Sequence, residues 1–353
     1  MHDLIIRNGT IIDGTGKARF VADIAVQDGK VVEVGQVAGA AAREIDASGK
    51  LVTPGWVDIH THYDGQATWD PLLAPSSWHG VTTVVMGNCG VGFAPVKPDG
   101  REFLIELMEG VEDIPGAALS EGIDWQWESF PEYLDALEQM PRAIDVAAQV
   151  PHGAVRAYVM GERCNQDYAP TQAEVDAMAA LVREGVEAGA LGFTSSKTLL
   201  HKDVHGEYMP GTFSGNDEML ALGMGMKGCN NAVFELVSDH LGDTEEWDWV
   251  TAFQKQTGLT MTLIATSAPA YENNYMYNIA EQARKEGREI RPQAAGRPTG
   301  VLHGLQSNFH AFVGHPTWRK ELKELDHETL VARLRDPMVK ATLLSESSVI
   351  QGG

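Results

Sequence analysis

The chain has 353 residues, which is enough for one large domain together with a small one. It carries 27 basic and 49 acidic side chains, and the resulting formal charge of −22 argues against nucleic acids and anionic membrane surfaces as partners. The hydrophobic content of 43% and the aromatic content of 7% are typical of a soluble α/β protein.

The N-terminal sequence MHDLIIRNGT has neither a basic start nor a long apolar run, so no signal peptide is predicted. No stretch of about 18 apolar residues occurs in the sequence, so no membrane span is predicted either. Cys89, Cys164 and Cys229 are odd in number and widely spaced, which does not indicate a disulfide framework. We therefore expect a protein of the reducing cytoplasm.

Residues 1–50 predict a small β domain, in the form of a sheet or a sandwich. Short segments with strand character are separated by turn dipeptides such as Asn8-Gly9 and Ser48-Gly49. Asp28-Gly29, between two alternating runs, is the strongest hairpin signal among them. The predicted strands cover residues 4–6, 10–12, 21–26, 30–34 and 43–45.

The run LVTPGWVDIHTH, residues 51–62, is the first segment with chemistry at its end. Successive side chains of a strand point to opposite faces, so Asp58, His60 and His62 share one face. Two neutral imidazoles at a strand end can bind zinc or another divalent transition metal. The alternative is a pair of surface histidines on an edge strand. The apolar run before them, with Pro54-Gly55, favours a buried strand that leads to a metal site.

Residues 51–353 alternate between predicted strands and predicted helices. Strict alternation indicates a parallel sheet, and this number of units favours a TIM-like (β/α)₈ barrel whose site lies at the C-terminal strand ends. The further strands are predicted at residues 82–86, 143–149, 190–194, 232–237, 259–265 and 289–294. The helices are predicted near residues 102–111 and 128–140, from a capping box at Thr171, and at residues 216–228, 244–257 and 271–286.

Two motifs carry a resemblance to a known family. PGWVDIHTH, followed by HGVTTVVMGNCGVGFAP at residues 79–95, resembles the amidohydrolase superfamily, and within it the branch of N-acyl-D-amino acid deacylases, or D-aminoacylases. The resemblance runs from about residue 3 to the end. It implies that a metal-activated water hydrolyses the linear amide C–N bond of a small molecule. It also implies that residues 1–50 are part of a β-sandwich flanking the barrel.

The resemblance assigns metal ligands residue by residue. His60 and His62 match the first-strand ligands, and Cys89 matches a cysteine at the end of the second strand; its alternative is a buried, apolar cysteine. The branch also supplies a histidine from each of the fifth and sixth strands. Here those strands read AVFELVSD and LTMTLIAT, without histidine. Glu235, inside the fifth strand, is predicted as an oxygen ligand in their place, or else as a core glutamate paired with a basic residue.

Three further residues are predicted to bind the substrate. Lys197 follows a strand predicted to end at Thr194, and it is a carbamylated metal ligand, a cation for a substrate carboxylate, or an ordinary loop lysine. His201 is one of several loop histidines near strand ends, with His152 and His205. Arg297 can bind a carboxylate through its guanidinium fork, although Gly-Arg-Pro is equally compatible with a structural turn.

The eighth strand of the barrel is not found in the sequence. After Pro298 the pattern predicts loops and helices, but no strand that ends in aspartate. The resemblance implies that this aspartate binds metal and acts as general base, so the catalytic base is unidentified. We expect a barrel that lacks its last strand, is incomplete at the C-terminus, and forms homo-oligomers through an unpaired edge. The alternatives are a cyclic-amide or lactone hydrolase, and a truncated barrel that binds metal without turnover.

Overall fold

The computed structural model describes residues 1–165, 169–229, 232–240, 244–265, 275–295, 304–305 and 310–348. The chain divides into two compact units. The first comprises Met1–Val57 and Trp78–Thr83, and the second comprises Asp58–Ser77 and Val84–Gly353. The predicted boundary at residue 50 therefore falls inside the first unit. No described helix has the length and apolar character that a membrane crossing requires.

The first unit contains one mixed sheet. Its strands are β1 (His2–Ile11), β2 (Phe20–Gln27), β3 (Lys30–Gly35), β4 (Ala41–Asp46) and β5 (Leu51–Val52). They lie in the order β3-β2-β1-β4, with β5 also paired to β1. Neighbours β1, β2 and β3 are antiparallel, whereas β4 and β5 run parallel to β1. The hairpin predicted at Asp28-Gly29 is confirmed, because β2 and β3 pair directly across it.

One prediction for this unit was wrong. Residues 4–6 and 10–12 were expected to be separate strands, but β1 is continuous from His2 to Ile11. The Asn8-Gly9 pair forms no turn; instead the register with β2 shifts between Ile6 and Gly9, and Asn8 adopts φ 58°. A bulge of this kind accommodates a turn-forming pair without ending the strand. The five strands between His2 and Val52 form a single sheet.

The remaining strands form two further sheets. They are β6 (Trp56–Asp58), β7 (Val81–Met86), β8 (Asp145–Ala148), β9 (Val150–Pro151), β10 (Gly192–Lys197), β11 (Val233–Ser238), β12 (Thr260–Ile264) and β13 (Ile290–Gln293). One sheet has the order β6-β7-β8, and the other has the order β13-β12-β11-β10-β9, with its neighbours parallel. The predicted alternation of strands and helices and the parallel sheet are thus confirmed.

Gln149 connects the two sheets along the chain, since it is the single residue between β8 and β9. Its amide donates to the carbonyl of Met86 in β7 at 3.0 Å. On the other side, the amide of Leu191 donates to the carbonyl of Ala148 at 2.9 Å. The strands from β6 to β13 therefore follow one another in sequence order. In the described part of the chain, no strand follows β13.

The helices lie between these strands and after them. They are α1 (Arg101–Glu112), α2 (Gly116–Gly122), α3 (Phe130–Gln139), α4 (His152–Met160), α5 (Gln172–Ala188), α6 (Asn216–Gly225), α7 (Thr244–Thr257), α8 (Tyr275–Lys285), α9 (His327–Arg335) and α10 (Pro337–Ser345). The capping box predicted at Thr171 is confirmed: its hydroxyl accepts from the Glu174 amide, and the Glu174 carboxylate accepts from the Thr171 amide. Helices α2, α4 and α10 were not predicted.

Candidate metal centre

Three side chains from the ends of β6 and β7 converge. The ligand atoms of His60, His62 and Cys89 all lie within 4.8 Å of one another. The Sγ of Cys89 is 3.2 Å from Nε2 of His60. In a tetrahedral zinc site with ordinary bond lengths, a sulfur and a nitrogen ligand are about 3.5 Å apart. The spacing of this pair is therefore close to what a shared metal requires.

A strained turn presents the cysteine. Cys89 has φ 59° and ψ 10°, a left-handed conformation that is uncommon for a residue with a side chain. Such a backbone costs on the order of 1–3 kcal/mol and persists where its surroundings fix it. Here the buried Asn88 amide donates to the carbonyls of Thr61 and Val85, and it accepts from Gln149. These three hydrogen bonds hold the turn beside the two histidines.

A second group shares the cysteine. The ligand atoms of Cys89, Glu112 and His201 also lie within 4.8 Å of one another. Glu112 is the last residue of α1, and His201 lies in the loop after β10. Glu112 Oε1 is 3.2 Å from Nε2 of His62, so the two groups are neighbours. The sequence predicted a substrate-binding role for His201 and did not identify Glu112 at all.

Glu235 contacts the turn but belongs to neither group. It is fully buried in β11, and its Oε2 accepts a hydrogen bond of 3.1 Å from the backbone amide of Cys89. Its Oε1 has no hydrogen-bond partner among the described residues. The alternative interpretation, a glutamate paired with a basic residue, finds no such partner in that part of the chain either. Glu235 thus lies behind the cysteine, against its backbone.

The centre gathers three acidic side chains, buried or partly buried, that have no lysine or arginine partner among the described residues. Burial raises the pKa of Asp64, Glu112 and Glu235 to about 8 each, and for Glu112 the charges of the other two acids add to the effect. The pKa of the Cys89 thiol is raised well above its ordinary value by burial and by the same acids. No described lysine or arginine forms an ion pair with these carboxyl groups. A bound cation would supply the missing positive charge.

The histidines are in the form that binds metals. Burial lowers the pKa of His60, and burial together with the neighbouring imidazoles lowers that of His62 well below its ordinary value. Burial and the charge of His60 lower the pKa of His201 to about 4. These rings are therefore neutral at pH 7 and can offer a lone pair. The buried Nδ1 atom of His62 has no hydrogen-bond partner among the described residues. Nitrogen, sulfur and oxygen donors of this kind fit zinc.

Two hydrogen bonds orient the rings from behind. Nε2 of Gln293 donates to the Thr262 hydroxyl, so Oε1 of Gln293 is the atom that faces His60. An amide oxygen can only accept, and Nδ1 of His60 therefore donates to it at 2.7 Å. Nδ1 of His201 is 2.9 Å from the hydroxyl of Ser196. In each case Nε2 remains for a metal, as is usual for imidazole ligands. Neither Gln293 nor Ser196 was identified from the sequence.

Comparison with known proteins assigns the family. The model of the amidohydrolase family matches residues 43–345. The chain belongs to the amidohydrolase family. It is 36% identical to a D-aminoacylase of Alcaligenes xylosoxydans xylosoxydans over 194 residues, which are 55% of this chain and 37% of that protein. It is 32% identical to an N-acyl-D-aspartate deacylase of the same organism over 242 residues, which are 68% of this chain and 43% of that protein.

Solved structures of the family agree with the fold. An N-acyl-D-glutamate deacylase of Bordetella bronchiseptica, in complex with zinc and a phosphonate inhibitor, matches with a TM-score of 0.66 and 30% identity. The match covers 82% of this chain and 58% of that one. A D-aminoacylase matches with a TM-score of 0.64 and 25% identity, over 83% of this chain and 58% of that one. This chain therefore spans less than half of these two curated relatives and 58% of each of these two structures.

Lys197 has a different position from the one expected. The fourth strand was predicted to end at Thr194, but β10 continues to Lys197, and the side chain is buried. Its Nζ is 3.4 Å from Oε2 of Glu246 and 3.2 Å from Oδ1 of Asn216, and it lies over the ring of Trp249. An ammonium group with these neighbours favours a structural role. Arg297, the other predicted cation of the amidohydrolase, lies outside the described residues.

His152 was wrongly placed in a loop. It is the first residue of α4 and is completely buried. Its Nδ1 is 2.8 Å from the hydroxyl of Ser195, and its Nε2 is 3.0 Å from Oε1 of Glu218, which Arg156 also contacts. It therefore belongs to the core of the amidohydrolase. His205 does lie in a loop, where its largely exposed ring is 3.4 Å from Glu106.

Proposed function

We propose that this protein is a metal-dependent hydrolase of linear amide C–N bonds, and that its substrates are N-acyl-D-amino acids or similar small amides. The observation that carries the proposal is the convergence of His60, His62 and Cys89 within 4.8 Å in a chain of the amidohydrolase family. The names of its relatives support the substrate class, since they are deacylases of D-amino acid derivatives.

A TIM-like barrel is the fold that we propose for this function. The strands from β6 to β13 follow one another in sequence order, as successive strands of a (β/α)₈ barrel do. The contact between His60, after β6, and Gln293, in β13, supports a sheet that curls back toward its first strand. By the family resemblance, residues 1–50 are part of a flanking β-sandwich.

In this proposal, His60, His62 and Cys89 hold zinc or another divalent transition metal. When bound, such an ion polarises the amide carbonyl and lowers the pKa of a water molecule. The protein's own groups prepare the site. Gln293 keeps the proton of His60 on Nδ1, so that Nε2 faces Cys89. Glu235 accepts from the Cys89 amide and fixes the strained turn. Asp64 and Glu235 are buried beside the site.

The substrate's carboxylate needs a cation within reach. Arg297 is our candidate, because a guanidinium binds a carboxylate through two parallel hydrogen bonds. Lys197 is less suited, because its ammonium already contacts Glu246 and Asn216. A substrate carboxylate would have to displace one of these partners.

The test begins with zinc-loaded protein and a panel of N-acetyl-D- and N-acetyl-L-amino acids, with release of the free amino acid as readout. We expect about one zinc per chain and turnover of the D-series. Cys89→Ser should lose both metal and turnover, whereas Cys229→Ser, a change at the less buried cysteine, should lose neither. A zinc-loaded protein that hydrolyses neither series would contradict the proposal.

A second candidate function is metal binding without turnover. It is favoured by one observation: in the described part of the chain no strand follows β13, so no aspartate from an eighth strand joins the centre. A positioned general base contributes about 10²–10⁴-fold to the rate of such reactions. Stoichiometric zinc together with no hydrolysis of linear or cyclic amides or of lactones would support this candidate. Hydrolysis of the cyclic substrates alone would instead indicate a cyclic-amide or lactone hydrolase.

A further inference from the structure

We infer that Glu112 and His201 are metal ligands, which together with Cys89 extend the centre formed by His60, His62 and Cys89. They would take the place of the histidines that β11 and β12 do not carry. The inference rests on the metal site of the proposed function, but it concerns ligand identity and not turnover. It assigns a donor from a helix end and a donor from a loop to a centre otherwise built from strand ends.

Geometry is the first support. Glu112, His201 and Cys89 present ligand atoms within 4.8 Å of one another. The carboxylate of Glu112 is also 3.2 Å from Nε2 of His62, and Cys89 Sγ is 3.2 Å from Nε2 of His60. The two sets of donors therefore meet at the cysteine. Each group offers one thiolate together with imidazole or carboxylate donors, which are ligand types that suit zinc or cobalt.

The position of Glu112 is costly without a cation. It ends helix α1, and the next residue, Asp113, caps the helix in a left-handed conformation with φ 54°. The C-terminal end of a helix carries partial negative charge, which disfavours a carboxylate. Asp64 and Glu235 are buried nearby, and each has a carboxylate oxygen without a partner among the described residues. In that part of the chain Glu112 pairs only with His62.

Close packing brings the helix to the loop that carries His201. A Cβ atom at Gly110 would overlap the backbone of Lys202 and Asp203, so only glycine allows this approach. Glu106, one turn earlier on α1, contacts His205 of the same loop at 3.4 Å. Helix α1 and the loop after β10 are thus packed directly on each other. This packing explains how two residues 89 positions apart (112 and 201) reach one centre.

The ring of His201 is held for binding. Nδ1 is 2.9 Å from the Ser196 hydroxyl, which leaves Nε2 for the metal. The carbonyl of His201 accepts from the Met209 amide at 3.1 Å, and Lys202 forms a bridge with Tyr208. The loop is therefore closed on itself behind the ring. An imidazole fixed at both its nitrogen and its backbone loses little freedom when it binds a metal.

Glu235 is the competing oxygen donor. Its Oε2 is directed to the backbone amide of Cys89, and the side chain belongs to neither group of converging ligand atoms. Glu112, by contrast, contacts another member of the centre through its side chain. The carboxylate on the helix is thus better placed than the carboxylate on the strand.

Metal affinity measured on the full chain tests the inference. Glu112→Gln and His201→Asn are compared with wild type by competition of Zn²⁺ and Co²⁺ with a chromophoric chelator. Loss of a group that merely orients a ligand already weakens metal binding about 10–100-fold, so each variant should raise the Kd at least about 10-fold. The Co²⁺ d–d bands should change, while the thiolate-to-cobalt band from Cys89 persists. Asp113→Asn and His205→Asn are the matched controls and should leave both readouts unchanged.

Three outcomes would overturn the inference. They are unchanged Kd values in the two variants, unchanged d–d bands, and a loss of affinity in Glu235→Gln that exceeds the loss in Glu112→Gln. Glu112→Asp retains a carboxylate and should bind Co²⁺ more tightly than Glu112→Gln. This second pair of variants tests the role of the carboxylate even if His201→Asn folds poorly. Failure of the proposed function looks different. Wild type would then bind Co²⁺ with the full spectrum but hydrolyse no amide.

Discussion

The side chains of His60 and Gln293 are joined by a hydrogen bond of 2.7 Å although the residues are 233 positions apart. His60 follows β6, and Gln293 ends β13, the last strand in the described part of the chain. The amide oxygen of Gln293 accepts from Nδ1 of His60, while the opposite nitrogen of the same ring is 3.2 Å from Cys89 Sγ. One end of the strand series thus orients the candidate metal ligand at the other end.

Removal of this hydrogen bond should weaken metal binding. Gln293→Leu deletes the acceptor and frees His60 to take the other tautomer, so we expect the Kd for Zn²⁺ to rise about 10–100-fold. Gln293→Glu keeps an acceptor at the same position and should restore most of the affinity. Equal affinities in Gln293→Leu and wild type, measured by chelator competition, would show that the orientation of His60 does not depend on Gln293.

Gly110 should be intolerant of a side chain. Alanine is favoured over glycine in a helix by about 1 kcal/mol, but here its methyl group would overlap the backbone of Lys202 and Asp203. We expect Gly110→Ala to lower the free energy of unfolding and to weaken metal binding, because the loop must move away from α1. Gly100→Ala is the control, since a methyl group there lies 3.9 Å from its nearest neighbour, a Val96 carbon. Similar behaviour of the two variants would contradict the close packing.

The sequence predicted the part of the centre that strand ends supply. His60, His62 and Cys89 converge because neighbouring strands of one sheet deliver them, and strand periodicity is a local property of the sequence. Glu112 could not be found in this way. It reaches the centre through the packing of α1 on a distant loop, and the only local signs are a glycine two residues earlier and an acidic residue at a helix end.

Buried polar residues near strand ends were the other weakness of the sequence interpretation. Lys197 and His152 have polar side chains beside turn-like residues, a pattern that is typical of loops. In the structure, Glu246 pairs with Lys197, and Glu218 pairs with His152. Each partner lies tens of residues away on a helix elsewhere in the chain, so nothing local reveals that the histidine or lysine is paired in the core. Strand and helix positions, which depend on local pattern, were predicted far better than these pairings.

Lys197→Met should act on stability and not on substrate binding. The variant leaves Glu246 buried without its cation, and breaking a buried pair costs about 3–5 kcal/mol when no other partner compensates. The Ser238 hydroxyl still donates to Glu246. We therefore expect the free energy of unfolding, measured in urea, to fall by an amount near the lower end of this range. The double variant Lys197→Met/Glu246→Gln should recover part of it. A large rise in KM for anionic substrates at unchanged stability would instead assign Lys197 to the substrate carboxylate.

The cluster around Glu218 should make the stability of the protein depend on pH in the acidic range. Burial opposes ionisation of Glu218, but its hydrogen bonds and charge interactions with His152 and Arg156 prevail and lower its pKa to about 2. Because this value lies below the ordinary value of 4.5, the stabilisation is complete above pH 4.5 and is lost as the pH falls toward 2.

Glu218→Gln lacks this titration, so its stability difference from wild type should shrink as the pH falls from about 5 toward 3. Near neutral pH, we expect the free energy of unfolding of Glu218→Gln to be about 3 kcal/mol lower than that of wild type. Asp217→Asn, the exposed neighbour in the same helix turn, should show no such convergence. Urea midpoints measured across this range give the comparison, and parallel pH profiles of Glu218→Gln and wild type would contradict it.

Metal removal should destabilise the protein, and more so as the pH rises. Saturation with zinc at 100 times its Kd stabilises a folded protein by about 2.7 kcal/mol. Without metal, the pKa values of Asp64, Glu112 and Glu235 are about 8, well above those of unfolded carboxyl groups. The folded apo protein therefore binds more protons than the unfolded chain, and this stabilisation is lost as the pH rises toward 8.

Between pH 6.5 and 8 the buried histidines are neutral in the folded state. In the unfolded chain they are about half protonated at pH 6.5 and largely neutral above pH 7.5, so the three acids set the slope over most of the interval. We expect the melting temperature of the chelator-treated protein to fall across this interval, and that of the zinc-loaded protein to change much less. Glu235→Gln removes one of the three acids and should make the apo profile shallower. An apo melting temperature that is constant or rises from pH 6.5 to 8 would show that the three carboxyl groups are not held protonated in the fold.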